Sequence, residues 1–118
     1  MNNFEFSQKL EKRLLDFAKK VGDFCRKIPK DSINQSYTNQ LNRAASSIGA
    51  NYIEANEALS SKDFFHRARI CKKESKETAY WFEIIEHSNP QLQSEANLLK
   101  SEAGEYLRIF SSIISKIK

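Results

Sequence analysis

Lys12, Lys19 and Arg26 recur every seven residues near the start of the chain, and Lys9, Arg13, Lys20 and Lys27 make a neighbouring row. Further on, Lys62, Arg69, Lys73 and Lys76 share one helical face, with Arg67 and Lys72 alongside. Rows of cations neutralise phosphates without reading base sequence. They serve as readily as a plain solvated face, and Glu11, Asp16, Asp23 and Glu74 dilute them. A second constellation is Arg43, Ser47, Asn51 and Glu54, at spacings of four, four and three. Such spacing sets hydrogen-bonding groups on one stripe of a helix. The set reads either as an internal network that fixes helix register or as a surface shared with another subunit or another protein.

Catalytic chemistry finds little to stand on. A di-iron centre inside a helical bundle needs two Glu-x-x-His pairs and a glutamate from each remaining helix. Asp63 and His66 offer one related pair, and His87 follows Glu83 and Glu86 without completing a second. Asp63 also has a simpler use as a helix-capping residue. Cys71 falls among small residues on an apolar stripe, where a thiol behaves as a small hydrophobe. Cys25 and Cys71 lack a CxxC partner and read as reduced, buried thiols. No glycine-rich phosphate loop occurs. The expectation is a protein that is not an enzyme and holds no metal or cofactor.

The elements that carry these residues follow from composition and period. Of the 118 residues, 40% are hydrophobic and 29% charged, with three glycines and two prolines. So few turn residues leave no room for many short strands. Charge is uneven: residues 1–76 hold 15 Lys/Arg against nine Asp/Glu, whereas residues 77–118 hold four against six. The basic part admits an acidic partner. The amino-terminal stretch is too charged for a signal peptide, and no run is long and apolar enough to span a membrane. The expected location is cytoplasmic, with no membrane partner.

Period-seven apolar positions define four helices. The first spans Asn3 to Ile28, with Leu10, Leu14, Phe17, Val21, Phe24 and Ile28 on its seam and Leu15 and Ala18 widening it. Gly22 suggests a close neighbour there, and Pro29 stops the helix. The second runs from Ile33 to Leu59, capped by Asp31 or Ser32, with Tyr37, Leu41, Ala45, Ile48, Tyr52, Ala55 and Leu59 in register. Its many small residues invite a closely approaching backbone. Ser60 and Asp63 then open a third helix with capping-box spacing. It carries Phe64, Ala68, Cys71, Ser75, Thr78, Phe82 and Ile85 on its seam and ends near His87. Asn89-Pro90 reads as an N-cap followed by proline at the first helical position. The fourth helix places Leu92, Ala96, Leu99, Ala103, Tyr106, Phe110, Ile113 and Ile117 in register. Four stripes joined by short loops predict one domain over residues 1–118, an all-α, antiparallel up-down-up-down four-helix bundle with left-handed packing. Phe65, Ile70, Trp81 and Ile84 lie off the seam and predict an apolar contact patch near the second and third helices.

The stretch RAASSIGANYIEA resembles bacterial four-helix-bundle proteins encoded within intervening sequences of the 23S ribosomal RNA gene. The residues that carry the resemblance are Arg43, Ala44, Ser47, Ile48, Gly49, Ala50, Asn51, Glu54 and Ala55. Downstream, Ser61-Lys62-Asp63-Phe64, His66-Arg67, Ile70, Lys73-Glu74, Glu77-Thr78 and Tyr80-Trp81 are similar too. The resemblance implies a cytoplasmic bundle assembling as a ring, commonly a homopentamer. It also implies kinship with the accessory variability proteins of diversity-generating retroelements, basic barrels that bind a reverse transcriptase and nucleic acid. It brings no catalytic residues. The expected function is a non-enzymatic oligomeric scaffold that binds RNA without strong sequence preference through Lys12, Lys19, Arg26, Lys62, Arg69, Lys73 and Lys76. The alternative is a protein-interaction module or accessory subunit, handling no nucleic acid itself.

Overall fold

The computed structural model describes residues 2–116 and places four α-helices there: α1 (Asn3–Cys25), α2 (Ser32–Asn56), α3 (Ser61–Ser88) and α4 (Gln93–Ser115). Three of them start on a side-chain oxygen. Asn2 accepts from the Glu5 N–H at 2.8 Å, Asp31 from Asn34 at 2.8 Å, and Ser60 from Asp63 at 3.1 Å. Each satisfies one of the N–H groups a first helical turn leaves free, which typically stabilises a helix by about 1 kcal/mol.

Two helices end earlier than the apolar period predicts. The residues after α1 tighten into three-residue steps, Lys27 N–H to Phe24 O and Ile28 N–H to Cys25 O, because Pro29 bars helical angles at Ile28. Ile28 stays buried all the same. The end of α2 tightens likewise at Glu57 and Ala58, which puts Leu59 into the loop at 98% exposure rather than on the seam.

The seams themselves close one core. Leu10, Leu14, Phe17, Val21 and Phe24 of α1 are buried, as are the matching positions from Leu41 to Ala55, Ala68 to Ile85 and Ala96 to Phe110. Tyr37, Phe64, Leu92 and Ile113 pack at its ends, partly exposed; Ile117 lies outside the described residues. Aromatic pairs join all four helices: Phe17–Tyr106 (ring centroids 5.2 Å apart), Phe24–Phe82 (5.5 Å) and Tyr52–Phe110 (5.5 Å). Burying each such ring contributes about 2–3 kcal/mol. Ser75 and Thr78 are buried without penalty, since their hydroxyls donate to the carbonyls of Cys71 and Glu74 one turn back.

Contacts between α2 and α3 run in opposite order along the two helices, from Asn51–Arg67 through Arg43–Glu74 to Asn34–Asn89. Asn89 holds the N-cap position with Pro90 next, as the sequence predicts, but its side chain does not cap. Pro90–Leu92 forms a 3₁₀ turn with no side-chain cap, and the buried Asn89 amide instead exchanges two hydrogen bonds with Asn34, at 3.1 and 2.9 Å. A buried amide is stable only when its donors and acceptor are matched, and another amide matches both.

Four further expectations are corrected. Leu15 is 54% exposed and does not widen the α1 stripe. Nothing lies within 4 Å of a side chain built at Gly22; the close approach is at Gly49, where a Cβ would come 3.3 Å from the Leu14 Cβ. Cys71 is fully buried, but Cys25 is only partly so. Phe65, Ile70, Trp81 and Ile84 are each partly buried within their own chain, Trp81 against Tyr37 at 6.2 Å, so none of them stands fully open to a partner.

Candidate nucleic-acid interface

On α3 the exposed positions Lys62, His66, Arg69, Lys73, Lys76 and Tyr80 succeed one another at spacings of four and three, which is one stripe on the outside of a helix. Its ends are 18 residues apart in sequence, about 27 Å along the axis. Among the described residues, Lys62, Arg69, Lys73 and Lys76 have no ion-pair partner. Lys72 borders them in the same state. Arg69 lies over the Phe65 ring, 5.7 Å from its centroid, a cation–π contact that steadies the guanidinium without neutralising its charge.

Two carboxylates of this segment, Glu74 and Glu77, are turned away from the stripe, whereas the exposed Glu83 follows it three residues beyond Tyr80. Glu74 faces α2, where its side chain is 7% exposed and sits 3.1 Å from Arg43 Nη1. Glu77 takes the other guanidinium nitrogen at 2.9 Å. Arg43 therefore binds both acidic groups of this part of α3 along one flank. Its own pKa is raised, first by the hydrogen bond to Glu74, as a cation stabilised by two anions must be. Asp63 lies one residue off the stripe, in the first turn, where its backbone N–H donates to the Ser60 cap.

The α1 cations have a different fate. Arg13 reaches Glu105 at 3.0 Å, Lys20 reaches Glu102 at 2.6 Å, and Lys27 reaches Glu95 at 2.9 Å, all on α4. Glu102 also accepts a short hydrogen bond from the Tyr106 hydroxyl, so it is held from two sides. Of the front row, Lys12 pairs with Asp16 at 3.4 Å and Arg26 with Asp23 at 3.1 Å, and both pairs are exposed. Lys19 is exposed and has no ion-pair partner among the described residues. The seven predicted basic residues thus do not form one surface. The structure groups Lys62, Arg69, Lys73 and Lys76, and leaves Lys12, Lys19 and Arg26 on another helix among their own carboxylates.

The polar set on α2 divides as well. Arg43 and Asn51 both bind α3, Asn51 by accepting from Arg67 Nη1 at 2.9 Å. Ser47 is half-buried between them, and its backbone carbonyl accepts from the Asn51 amide at 2.9 Å. Glu54 is exposed, and its side chain joins no hydrogen bond among the described residues. Sequence reasoning missed Glu74, Glu77 and Arg67 as the partners of this set. It also missed Tyr80, although its place four residues after Lys76 continues the basic stripe and signals it.

Neither thiol is set up for chemistry. Burial pushes the Cys71 pKa up to about 12 and that of Cys25 to about 11, so both stay protonated and poorly nucleophilic at neutral pH. Among the described residues no group of three or more His, Cys, Asp or Glu could hold a metal ion. No described helix is long and apolar enough to cross a membrane.

Residues 7–112 match the family model of the 23S rRNA-intervening sequence protein. Among solved structures, the chain is similar to a protein of unknown function from the S23 ribosomal protein family of Bacteroides thetaiotaomicron VPI-5482, at 25% identity and a TM-score of 0.84. That match covers 93% of this chain and 98% of the other. No match was found among curated proteins.

Proposed function

The chain belongs to the 23S rRNA-intervening sequence protein family, and on that premise we propose that it is a non-enzymatic, self-assembling helical scaffold that binds RNA along the outer face of α3. One observation carries this reading: among the described residues Lys62, Arg69, Lys73 and Lys76 stand exposed and without ion-pair partners in a single stripe, from which Glu74 and Glu77 are withdrawn to Arg43. Cations whose charge is not already neutralised within the protein release counterions from a phosphate backbone, and this supplies affinity without sequence preference. The location that fits this reading is the cytoplasm.

Self-assembly multiplies the effect. The exposed Phe4 and Ile53 line one groove between α1 and α2 among polar residues such as Gln8, Glu11 and Asn56, and offer two apolar side chains to a second copy of the chain. Five copies, the number the family resemblance implies, would repeat the α3 stripe five times. Simultaneous engagement of several stripes raises avidity by orders of magnitude where one RNA spans them.

Fluorescence anisotropy with a labelled oligoribonucleotide tests the proposal. Binding at about 50 mM salt should weaken at least 10-fold by 200 mM. Replacing Arg69, Lys73 and Lys76 with Gln should lower affinity at least 10-fold and flatten the salt dependence by about two in the log–log slope. Circular dichroism should show the fold unchanged. The same triple change at Lys12, Lys19 and Arg26 should cost less than 3-fold. Absence of binding at low salt, or indifference to the α3 changes, would overturn the RNA reading in favour of a protein-interaction module. Light scattering that returns a 13.7 kDa monomer at micromolar concentration would overturn the assembly.

A further inference from the structure

Resting on the α3 reading above, we infer that the ligand of this stripe is single-stranded rather than duplex nucleic acid, and that Tyr80 is a stacking platform for an unpaired base. The Tyr80 ring ends the row of cations and is 57% exposed. It is not a loose surface ring. It meets Trp81 edge to face, with centroids 5.2 Å apart and planes at 77°. Trp81 in turn packs on Tyr37 of α2. An aromatic ring held in place and open to solvent has already lost the freedom that stacking would otherwise remove.

The placement decides between the two forms of polynucleotide. A duplex offers a convex rod only its sugar–phosphate backbone, so a ring set in line with the cations gains nothing from it. A single strand laid along the stripe brings phosphates to Lys62, Arg69, Lys73 and Lys76 and turns unpaired bases toward its end. Base–aromatic stacking is tolerant of sequence, because every base has a π-face. The stripe is also one helix wide: toward α2 it is bounded by the Arg43–Glu74–Glu77 cluster, whose internally paired charges offer no cation to the second strand of a duplex. Recognition of an acidic protein segment would use the same cations but leave Tyr80 idle.

The test compares a 20-nucleotide single-stranded RNA, a blunt RNA duplex of equal length and poly-L-glutamate, each against the wild-type chain, Tyr80→Ala and Tyr80→Phe. Single-stranded RNA should bind at least 10-fold tighter than the duplex. Tyr80→Ala should weaken the single strand roughly 10-fold and leave the duplex within 2-fold. Tyr80→Phe, which keeps the ring, should bind like the wild type. Equal binding of both RNAs with no effect of Tyr80→Ala, while Arg69, Lys73 and Lys76 still matter, would overturn the single-strand inference and leave the electrostatic reading standing. Poly-L-glutamate binding as tightly as RNA, or no RNA binding at all, would overturn both. Because Tyr80 is exposed, its removal should not move the thermal midpoint; a shift above about 3 °C would mark its role as structural and defeat the inference.

Discussion

The α1 and α3 helices display cations at the same seven-residue period, yet the two rows end in opposite electrostatic states. On α1 the second row faces α4, whose Glu95, Glu102 and Glu105 accept Lys27, Lys20 and Arg13, and the front row carries Asp16 and Asp23 as local partners. On α3 Glu74 and Glu77 turn toward Arg43, and the outward cations from Lys62 to Lys76 keep their charge unpaired among the described residues. What separates the two is not the basic residues but the address of the carboxylates. A neutralised row helps hold a bundle together; an unneutralised one is available to an outside anion.

The largest effect should come from removing the residue that keeps α3's carboxylates aside. Arg43→Ala leaves Glu74 nearly buried without its cation and frees Glu77. We expect a loss of about 2 kcal/mol, below the 3–5 kcal/mol typical of a fully buried pair, because Arg43 is half-exposed. Chemical denaturation measures it. RNA affinity should fall as well, since two anions regain access to the stripe. A variant as stable as the wild type would show that Arg43 does not organise this flank.

A second change should convert α1 toward the state of α3. Gln at positions 95 and 105 releases Lys27 and Arg13 from their nearest carboxylates, at a stability cost of about 1 kcal/mol or less per exposed pair. RNA affinity should rise about 3- to 10-fold at low salt, with a steeper salt dependence. Unchanged affinity would place α1 outside the interface whatever its charge.

Each of the two helices also carries one thiol. Cys71 and Cys25 have folded pKa values near 12 and 11 against an ordinary value of 9.0. A raised acid pKa means that the unfolded chain releases its proton first. Stability is therefore complete below pH 9 and declines as pH climbs toward 11–12, by about 1 kcal/mol per thiol at pH 10. Thermal midpoints at pH 8 and pH 10 measure the decline, and the Cys25→Ala/Cys71→Ala double variant should flatten it. At pH 8 a disulfide reagent should reach half-buried Cys25 well before Cys71; equal rates would contradict the burial.

The smallest effects separate the glycines. Gly22 on α1 meets nothing, so Gly22→Ala should stabilise the chain by about 0.5–1 kcal/mol through helix propensity alone. Gly49→Ala must push Leu14 aside, which should cancel that gain or reverse it. Denaturant midpoints of the two variants should thus differ in order, with Gly22→Ala the higher.

Legibility followed the same divide between a residue and its address. The seam residues of α1, from Leu10 to Phe24, could be named from period alone, because an apolar stripe has only one place to go. The Arg43–Asn51 spacing located a polar stripe, and the caps at Asp31 and Ser60 were legible from residue type. Glu74 was not: its spacing says which way it points from α3, but only the position of α2 says that an arginine waits there. Leu59 and Leu15 failed for a related reason, since helix termination and the angle to the next helix decide exposure after the pattern has been satisfied. Gly22 and Gly49 look alike in sequence and differ only in what stands across from them.

The paired amides of Asn34 and Asn89 carry one more consequence. They sit at the far end of α2 and α3 from the loop that joins the two helices. Sliding α3 along α2 by one turn, about 5.4 Å, would carry each amide off its mate and leave each buried Oδ1 without its donor, while the amide nitrogens keep only Asp31 and the Ile85 carbonyl. Such a slip would cost about 1–3 kcal/mol for each orphaned group, before any repacking of the seam. The apolar stripes repeat every seven residues and would by themselves tolerate more than one alignment. The amide pair does not repeat, so it marks a single alignment and acts as a detent for the hairpin.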